Sequence, residues 1–230
     1  MRLAVIPARG GSKRIPRKNI REFCGMPMIA RSIQAAFDSK CFDRVIVSTD
    51  DDEIAQIARQ YGAEVPFIRP AELSDDHSPT RPVIAHAIQS VEHGQKVDWV
   101  CCIYATAPFV RAEDLRTGLE RVQQDDCSYV FPVASYAFPI QRALKIDKKT
   151  GHVSMFYPEQ FQTRSQDLEE AWHDAGQFYW ASADQWKKDE PIFNDHAIAL
   201  TIPRHRVQDI DTPEDWRLAE LLFKAQENAQ

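Results

Sequence analysis

With 230 residues, of which 43% are hydrophobic, the chain is long enough for a large α/β domain with a substantial core, and its composition argues against a disordered protein. Its net charge of −6 argues against a general nucleic-acid binder, so we expect no nucleic-acid partner. No apolar run approaches the roughly 18 residues of a membrane helix, and no signal-peptide layout is present. We therefore expect no membrane partner and a cytoplasmic location.

The five cysteines fit this expectation. Cys101 and Cys102 are adjacent within an apolar run, and none of the five has the spacing of a metal-binding or redox pair. We predict reduced thiols in the core.

The chain opens with a short apolar run, from Leu3 to Ile6, that predicts a strand buried on both faces of a parallel sheet and ended by Pro7. The loop after it contains paired glycines, which let backbone N–H groups turn toward a ligand. The loop also carries five cations within ten residues: Arg9, Lys13, Arg14, Arg17 and Lys18. A solvated basic loop is the alternative, but the position after a buried first strand favours a cradle for a polyphosphate.

The residues that follow alternate between helix and strand patterns. Apolar residues at helical spacing predict a helix over 27–37, and β-branched residues predict a strand over 44–49. A second helix follows, with Thr49 or Asp50 as its N-cap and Gly62 at its end, and 64–68 predicts a third strand. This order of strands and helices predicts a parallel sheet.

The middle of the chain continues the alternation. After an irregular polar connection, Pro79 is expected as the first residue of a helix, with Ser78 as its cap. Apolar runs predict strands over 99–104 and 129–133, with a helix over 113–123 between them.

From residue 134 to residue 175 the alternation stops. The segment is rich in aromatic residues and turn signals and has no long amphipathic helix. Because its aromatic residues are too few for a separate core, we predict that 134–175 is an insertion acting as a lid, a dimerisation arm or both. The insertion would belong to a single domain over 1–230. Strands over 176–181 and 197–202 and a helix over 213–225 complete the chain.

The second informative motif is Asp209-Ile210-Asp211. In an extended segment, residues two apart point to the same side, so both carboxylates face one space while Ile210 faces the core. Two carboxylates suit Mg²⁺, which completes its shell with water and substrate phosphates. Helix capping by Asp211 or Thr212 explains the residues up to 215 but not Asp209. The motif therefore predicts a metal-bound nucleoside triphosphate between the two ends of the chain.

Five segments spread over nearly the whole chain carry a family resemblance: IPARGGSKRIPRKNI, FIRPAELSDD, YATAP, GQFYW and IDTPEDW. The chain resembles the cytidylyltransferases that activate nine-carbon acidic sugars. The resemblance implies transfer of CMP from CTP to the anomeric hydroxyl of a nonulosonic acid, release of pyrophosphate, Mg²⁺ as cofactor, and a homodimer. It also implies a Rossmann-like, doubly wound, mostly parallel sheet of the nucleotide-diphospho-sugar transferase type.

The resemblance also assigns site residues by position. The nucleotide would be bound by Ala8, Arg9, Gly10, Gly11, Ser12, Lys13, Lys18, Asn19, Arg69 and Thr80. The metal would be held by Asp209 and Asp211. These two aspartates would act in catalysis together with Arg9, Lys13 and Lys18, which would neutralise the departing pyrophosphate. No catalytic serine or cysteine is expected, because the sugar supplies the nucleophile.

The sugar site is expected near two departures from the pattern of sialic acid enzymes. Tyr104 stands where those enzymes usually have a glutamine, and Gln141 replaces a sugar-binding lysine. Both changes favour a sugar other than sialic acid, with pseudaminic acid expected and sialic, legionaminic or keto-deoxy-octulosonic acid as alternatives. Arg164 aligns with an arginine that contacts the sugar in the family.

Further sugar-binding candidates come from residue chemistry. A sugar carboxylate needs a cation, which Arg111 or Arg164 could provide. Gln177 or Tyr179 could bind the sugar or the base, although alternating aromatic residues in a strand are more often core residues.

Two other classes of protein remain as alternatives. A non-catalytic nucleotide-binding protein should lack the aspartate pair. A dinucleotide-dependent oxidoreductase needs G-x-G-x-x-G after the first strand, and this loop has Gly10-Gly11 followed by Ser-Lys-Arg.

Overall fold

The structure, a computed structural model, describes residues 1–76 and 78–228. Within these ranges the chain forms eleven strands and six α-helices. The strands are β1 Arg2–Pro7, β2 Glu22–Phe23, β3 Met26–Pro27, β4 Arg44–Ser48, β5 Trp99–Ile103, β6 Val130–Ser135, β7 Leu144–Ile146, β8 Val153–Met155, β9 Trp172–Asp174, β10 Phe178–Ser182 and β11 Ile198–Thr201. The helices are α1 Met28–Ser39, α2 Asp52–Gln60, α3 Thr80–Val91, α4 Ala112–Gln124, α5 Ala183–Lys187 and α6 Pro213–Glu227.

The central sheet has the strand order β11-β6-β10-β5-β1-β4, and β9 also pairs with β6. β1 pairs in parallel with both β4 and β5, and β11 pairs in parallel with β6. β10 runs antiparallel to both of its neighbours, and β9 runs antiparallel to β6. The α/β fold predicted from the sequence, with its Rossmann-like, mostly parallel sheet, is therefore confirmed.

Helices cover both faces of this sheet. Successive residues of β1 point to opposite faces, so Ala4 and Ile6 pack with residues of α1, α2 and α4, whereas Leu3 and Val5 pack with α3 and α5. All four residues are fully buried, as expected for a strand covered on both sides. The doubly wound arrangement thus follows from the apolar run at the start of the chain.

A third apolar cluster joins the two ends of the chain. Ile15 and Phe23 from the region after β1 pack with Ile210 and Trp216, which lie before and within α6. Thr212 caps α6 in a capping box with Asp215, as helix-start rules allow. The cluster therefore fixes the Asp209-Ile210-Asp211 motif beside the first loop, with Ile210 only 1% exposed.

Three local predictions differ from the structure. Over 64–68 only Glu64 forms a bridge, to Ile46, because Pro66 has no N–H to continue a ladder. The N-cap of α2 is Asp51, whose carboxylate accepts a hydrogen bond from the Ile54 amide at 2.9 Å. Pro79 is the N-cap of α3 rather than its first residue, and the Ser78 hydroxyl donates to Asp75 instead of capping.

The segment predicted as an insertion begins and ends within the central sheet. Residues 134–135 belong to β6 and 172–174 form β9, so the excursion from the sheet is shorter than 134–175. Between them lie the antiparallel hairpin of β7 and β8 and short 3₁₀ turns. Within the described residues the segment has no long helix, as predicted. Its role as a lid or a dimerisation arm stays a prediction.

All five cysteines have free thiols. Cys41, Cys101 and Cys102 are buried in the core, whereas Cys24 and Cys127 are partly exposed. Among the helices within residues 1–76 and 78–228, none is both long enough and apolar enough to cross a membrane.

Candidate active site

A cavity of about 500 Å³ opens where the carboxyl ends of β1 and β5 meet. Strand β1 continues into its floor at Pro7, and β5 is followed in its wall by Tyr104, Ala105 and Thr106. Strands β4 and β5 lie on opposite sides of β1. At such a point of an open α/β sheet the connections lead away to opposite sides, and a crevice forms in which ligands bind. The residues after β1 supply most of the remaining lining: Arg9, Ser12, Lys13, Arg14, Lys18 and Asn19.

Backbone contacts fix the shape of the first loop. The Ala8 amide donates to the Ser48 carbonyl at 2.9 Å, and the Gly10 amide donates to Asp50 Oδ1 at 3.0 Å. The buried side chain of Asn19 donates from Nδ2 to the Arg9 carbonyl at 2.9 Å and so closes the loop. Ala8 is buried, and neither it nor the two glycines line the cavity. Their predicted nucleotide contacts would come from the loop backbone.

Gly10 is required by close packing. A Cβ atom at this position would lie 2.6 Å from Asp51 Oδ2, which is held there by Arg17 Nη1 at 2.5 Å. At Gly11 a Cβ atom would meet nothing within 4 Å. Arg17 therefore braces the loop from outside the cavity, and only four of the five loop cations line it.

Asp76 faces two of these four cations. Its Oδ1 lies 2.5 Å from Arg9 Nη1, and its Oδ2 lies 2.5 Å from Lys13 Nζ. The hydrogen bonds from Lys13 and Arg9 hold the pKa of Asp76 below its usual range, so the carboxylate is charged at neutral pH. Asp76 thus occupies a position where two cations converge.

The other two cations meet Asp211. Lys18 Nζ donates to the Ile210 carbonyl at 2.6 Å and lies 3.4 Å from Asp211 Oδ1, and Arg14 Nη2 lies 2.9 Å from the same oxygen. The structure therefore brings the last motif of the sequence against the first loop, as predicted.

The aspartate pair fits a magnesium site by its donor chemistry. Asp211 lines the cavity, and Asp209 stands beside it outside the lining. The pKa of Asp209 is raised, first by partial desolvation and then by the like charge of Asp211. A cation between the two carboxylates would relieve this repulsion. Within the described residues no cluster of three or more His, Cys, Asp or Glu side chains forms a metal site, so substrate phosphates and water would complete the shell.

Arg69 forms the inner wall of the cavity. Its side chain is only 4% exposed, its amide donates to the Thr49 carbonyl at 2.8 Å, and Asp50 Oδ1 lies 3.7 Å from Nη2. Burial lowers the pKa of the guanidinium. Nε and Nη2 are buried without a hydrogen-bond partner in the described part of the chain, although Nη2 is within ion-pair distance of Asp50.

Tyr104 lies in the cavity wall with Thr80 behind it. The Tyr104 hydroxyl and Thr80 Oγ1 are 3.1 Å apart, although Thr80 itself does not line the cavity. Ser32 Oγ donates to the Tyr104 carbonyl at 2.8 Å, and the Tyr104 amide donates to the Gln177 carbonyl at 2.9 Å. The backbone of Tyr104 is therefore fixed on both sides.

The remaining predicted sugar-binding residues do not line this cavity. Gln177 is 3% exposed and donates to the Arg206 carbonyl, and Tyr179 is 2% exposed. Arg111 lines a separate cavity next to α6. Arg164 pairs with Asp167 on an exposed turn, and Gln141 Nε2 donates to the Glu169 carbonyl at 3.0 Å. Their sugar contacts stay predictions.

The site-residue assignment left out the apolar lining residues Pro7 and Ala105, three polar residues of the lining and one residue that supports it. Arg14, Asp76 and Thr106 line the cavity, and Asp50 links the loop to Arg69. Arg14 was visible among the loop cations. Asp76 lies 67 residues from Arg9, so no local pattern indicated their contact.

Comparisons with known proteins identify a family for the chain. The family model described as Cytidylyltransferase matches residues 3–212. A pseudaminic acid cytidylyltransferase of Campylobacter jejuni is 42% identical over 96% of both chains. A CMP-N,N'-diacetyllegionaminic acid synthase of Legionella pneumophila is 34% identical, over 99% of this chain and 98% of the relative.

A solved structure has the same fold. CMP:2-keto-3-deoxy-manno-octonic acid synthetase complexed with CTP superposes with a TM-score of 0.71, covering 98% of this chain and 99% of the other. The sequence identity is 18%, so this likeness concerns the fold alone.

Proposed function

We propose, from the premise that this chain belongs to the cytidylyltransferase family, that it transfers CMP from CTP to the anomeric hydroxyl of pseudaminic acid and releases pyrophosphate. The relative with 42% identity supports this sugar over legionaminic acid, whose synthase is 34% identical. At Tyr104 and Gln141 the sequence departs from the pattern of sialic acid enzymes, which agrees with a sugar other than sialic acid.

One observation carries the proposal: four loop cations and the Asp211 carboxylate line the same cavity. Arg9, Lys13, Arg14 and Lys18 all line it, at the carboxyl ends of two parallel strands. A nucleoside triphosphate held through a metal needs this combination, because its phosphates require cations and its metal requires carboxylate oxygens. A non-catalytic nucleotide-binding protein has no use for the aspartate pair.

The protein's task in such a reaction is alignment and charge neutralisation. The oxygen of the anomeric hydroxyl attacks the α-phosphorus, the bond from that phosphorus to the bridging oxygen breaks, and the hydroxyl proton is lost to solvent or a nearby base. Arg9 and Lys13 would hold the β- and γ-phosphates and offset the charge that develops on pyrophosphate. Their release from Asp76 would accompany triphosphate binding, since one carboxylate and three phosphates compete for the same cations.

Asp209 and Asp211 would hold Mg²⁺. When bound there, the ion would polarise the α-phosphate and lower the barrier to attack. Lys18, which contacts both the Ile210 carbonyl and Asp211, would fix the direction of the carboxylate. Arg69, which lines the cavity, would lie next to the base.

We further propose that the protein works as a homodimer in the cytoplasm. Exposed apolar side chains in the segment between β6 and β9 support association. They include Phe138 at 81%, Ile146 at 67% and Val153 at 63% exposure. The free thiols agree with a reducing compartment.

Pyrophosphate release tests the function directly. The protein would be incubated with CTP, Mg²⁺ and, in separate reactions, pseudaminic, legionaminic, sialic and keto-deoxy-octulosonic acid. We expect the highest kcat/KM with pseudaminic acid. A higher value with another acid would reassign the substrate, and no turnover with any of them would refute the proposal.

The aspartate pair can be tested separately. Asp211→Asn should lower kcat by about 10²-fold or more, because it removes a charged ligand and stabilisation of transition-state charge is a large part of catalysis. Its urea unfolding midpoint should stay near that of the parent. Glu214→Gln, an exposed acid three residues away, is the matched control and should leave kcat unchanged. Equal effects of the two variants would argue against a specific role of Asp211.

A further inference from the structure

A line of polar groups runs from the cavity wall into the protein. Thr80 Oγ1 lies 3.1 Å from the Tyr104 hydroxyl. The ring of Tyr104 packs on that of Tyr179, with centroids 5.3 Å apart at an angle of 57°. The Tyr179 hydroxyl donates a hydrogen bond to Asp174 Oδ2. Of these four residues, only Tyr104 lines the cavity.

Asp174 is held rigidly at the inner end of the line. It pairs with Val133 at the junction of β9 and β6, and the next amide, of Ala175, donates to the Pro132 carbonyl at 3.0 Å. Its second carboxylate oxygen, Oδ1, is buried and has no hydrogen-bond partner among residues 1–76 and 78–228. A half-buried carboxylate with one bond to a phenol calls for an explanation, because leaving such a group unsatisfied is unfavourable.

Both phenols stay protonated at neutral pH. Burial raises the pKa of Tyr104 to about 12. Burial also raises the pKa of Tyr179, and the neighbouring Tyr104 and Asp174 raise it further. Each hydroxyl therefore has one proton to donate, and the acceptor of that proton decides whether the hydroxyl can still donate to a ligand.

The number of protons determines which hydroxyl donates and which accepts in each hydrogen bond. An ionised carboxylate only accepts hydrogen bonds, so the single proton of Tyr179 is committed to Asp174. The Tyr179 oxygen can then only accept. The Tyr104 hydroxyl is hydrogen-bonded to the Tyr179 hydroxyl, which has no second proton to give, so the Tyr104 proton is directed to Tyr179. Thr80 Oγ1 then donates to the Tyr104 oxygen, and one lone pair of that oxygen is left for a ligand in the cavity.

We infer that Asp174 is a positioning residue that, through Tyr179, makes Tyr104 a hydrogen-bond acceptor in the cavity wall for an N–H or O–H group of the acidic sugar. The inference rests on the proposed function and deepens it by naming a group that accepts a hydrogen bond from the sugar. Acidic sugars carry hydroxyl and acylamino groups, which are donors of this kind. A sugar with an acceptor at that position would be disfavoured, because two acceptors would face each other.

Asp174→Asn tests the inference with almost no change in shape. The amide NH₂ can donate to Tyr179, which frees the Tyr179 proton for Tyr104 and turns the Tyr104 proton toward the cavity. We expect KM for the sugar to rise about ten-fold, while KM for CTP and the urea unfolding midpoint stay near the parental values. Glu170→Gln, an exposed acid just before β9, is the control and should change neither constant.

A double-mutant cycle separates this role from a purely structural one. Tyr104→Phe should raise KM for the sugar by a similar factor, and adding Asp174→Asn to it should have little further effect, because the affected group is already gone. Tyr179→Phe should behave like Asp174→Asn. The inference is refuted if the Asp174 and Tyr104 effects multiply, or if Asp174→Asn changes both KM values together with the unfolding midpoint.

Failure of the inference and failure of the proposed function give different results. If the parent protein turns over pseudaminic acid and Asp174→Asn has parental constants, only the inference fails. If the parent turns over none of the acids, the proposed function fails and the inference falls with it.

Discussion

At the scale of single residues, Asp76 holds two cations of the cavity in place. One carboxylate bridges Arg9 and Lys13, which would otherwise repel each other. The bridge is partly exposed, so it contributes little to stability, and a triphosphate with more charge can replace it. Asp76 therefore competes with the ligand for the two cations.

Removing the charge of Asp76 should strengthen anion binding. We expect Asp76→Asn to bind inorganic triphosphate about five-fold more tightly in the absence of metal, because a competing negative charge near the phosphates is gone. Isothermal titration calorimetry at constant ionic strength would measure this. Glu72→Gln, an exposed acid in the same connection, serves as the control. Weaker binding by Asp76→Asn would show that the carboxylate supports the site instead.

Single residues also show how far sequence reasoning reaches. The approach of the last motif to the first loop was predicted, and Asp211 contacts Arg14 of that loop. The shared metal site of Asp209 and Asp211, predicted from alternation along an extended segment, stays a prediction, because Asp209 lies outside the cavity lining. Asp174 and Asp76 could not be found in this way. Their partners are set by how β9 and the connection before α3 fold back onto the sheet, which depends on the whole sheet.

At the scale of elements, the first loop depends on its fit against α2. The Asp51 carboxylate caps α2, accepts hydrogen bonds from Arg17 and lies directly under Gly10. The Arg17 contact, followed by the amide of Ile54, lowers the pKa of Asp51 against the effect of burial. The loop and the helix start are thus one unit.

Alanine substitutions at the paired glycines should therefore differ. Gly10→Ala places a methyl group 2.6 Å from Asp51 Oδ2, so it should displace the Arg17 contact and weaken CTP binding about ten-fold. Gly11→Ala meets open space and should leave CTP affinity within about two-fold of the parent. Fluorescence or calorimetric titration with CTP would compare them. Equal affinities of the two variants would contradict this account of the loop.

Helix α4 contains a second position fixed by packing. A Cβ atom at Gly118 would lie 2.7 Å from Trp180 Cδ1 and 3.0 Å from Phe178 Cε2. Trp180 cannot move aside, since it stacks on Phe42 and donates from Nε1 to the Leu115 carbonyl.

Gly118→Ala should therefore destabilise the protein by about 1–3 kcal/mol, although alanine favours a helix more than glycine does. Urea unfolding would measure the difference. Gln123→Ala, on the exposed side of the same helix, should leave the unfolding free energy nearly unchanged or raise it slightly. A stabilised Gly118→Ala protein would show that the side chains of β10 move to accommodate the added methyl group.

Most helices and strands could be predicted because each carries its own periodicity. The predicted strand over 64–68 was wrong because its apolar residues suggested a strand while Pro66 blocks pairing beyond Glu64. The antiparallel direction of β10 was not predicted either. A strand's own composition does not indicate whether its neighbours run with it or against it.

At the scale of the whole molecule, the segment between β6 and β9 exposes more large apolar side chains than a monomer usually leaves in water. They are Tyr136, Phe138, Leu144, Ile146, Val153, Phe156, Tyr157 and Phe161. The hairpin of β7 and β8 presents three of them on two short strands. A second copy of the chain is the partner that we propose for this surface.

Sedimentation velocity at micromolar concentration should show a dimer. A Phe138→Asp, Ile146→Asp double variant should sediment as a monomer, because it places charges in an apolar interface. Leu221→Asp is the control, since Leu221 is 66% exposed on α6, outside this segment, and its change should leave the dimer intact. A parent protein that is monomeric under these conditions would refute the predicted dimer.

The position of β10 in the sheet affects how the chain folds as it is synthesised. Strand β5 pairs on one side with β1, which is already made, and on the other with β10, which is made about eighty residues later. At about 5–20 residues per second on the ribosome, this delay lasts several seconds. During that time the open edge of β5, a run of buried-type residues without charge, is exposed to other nascent chains. A chain interrupted before Phe178 would therefore keep its first β-α-β unit and be prone to aggregate through that edge.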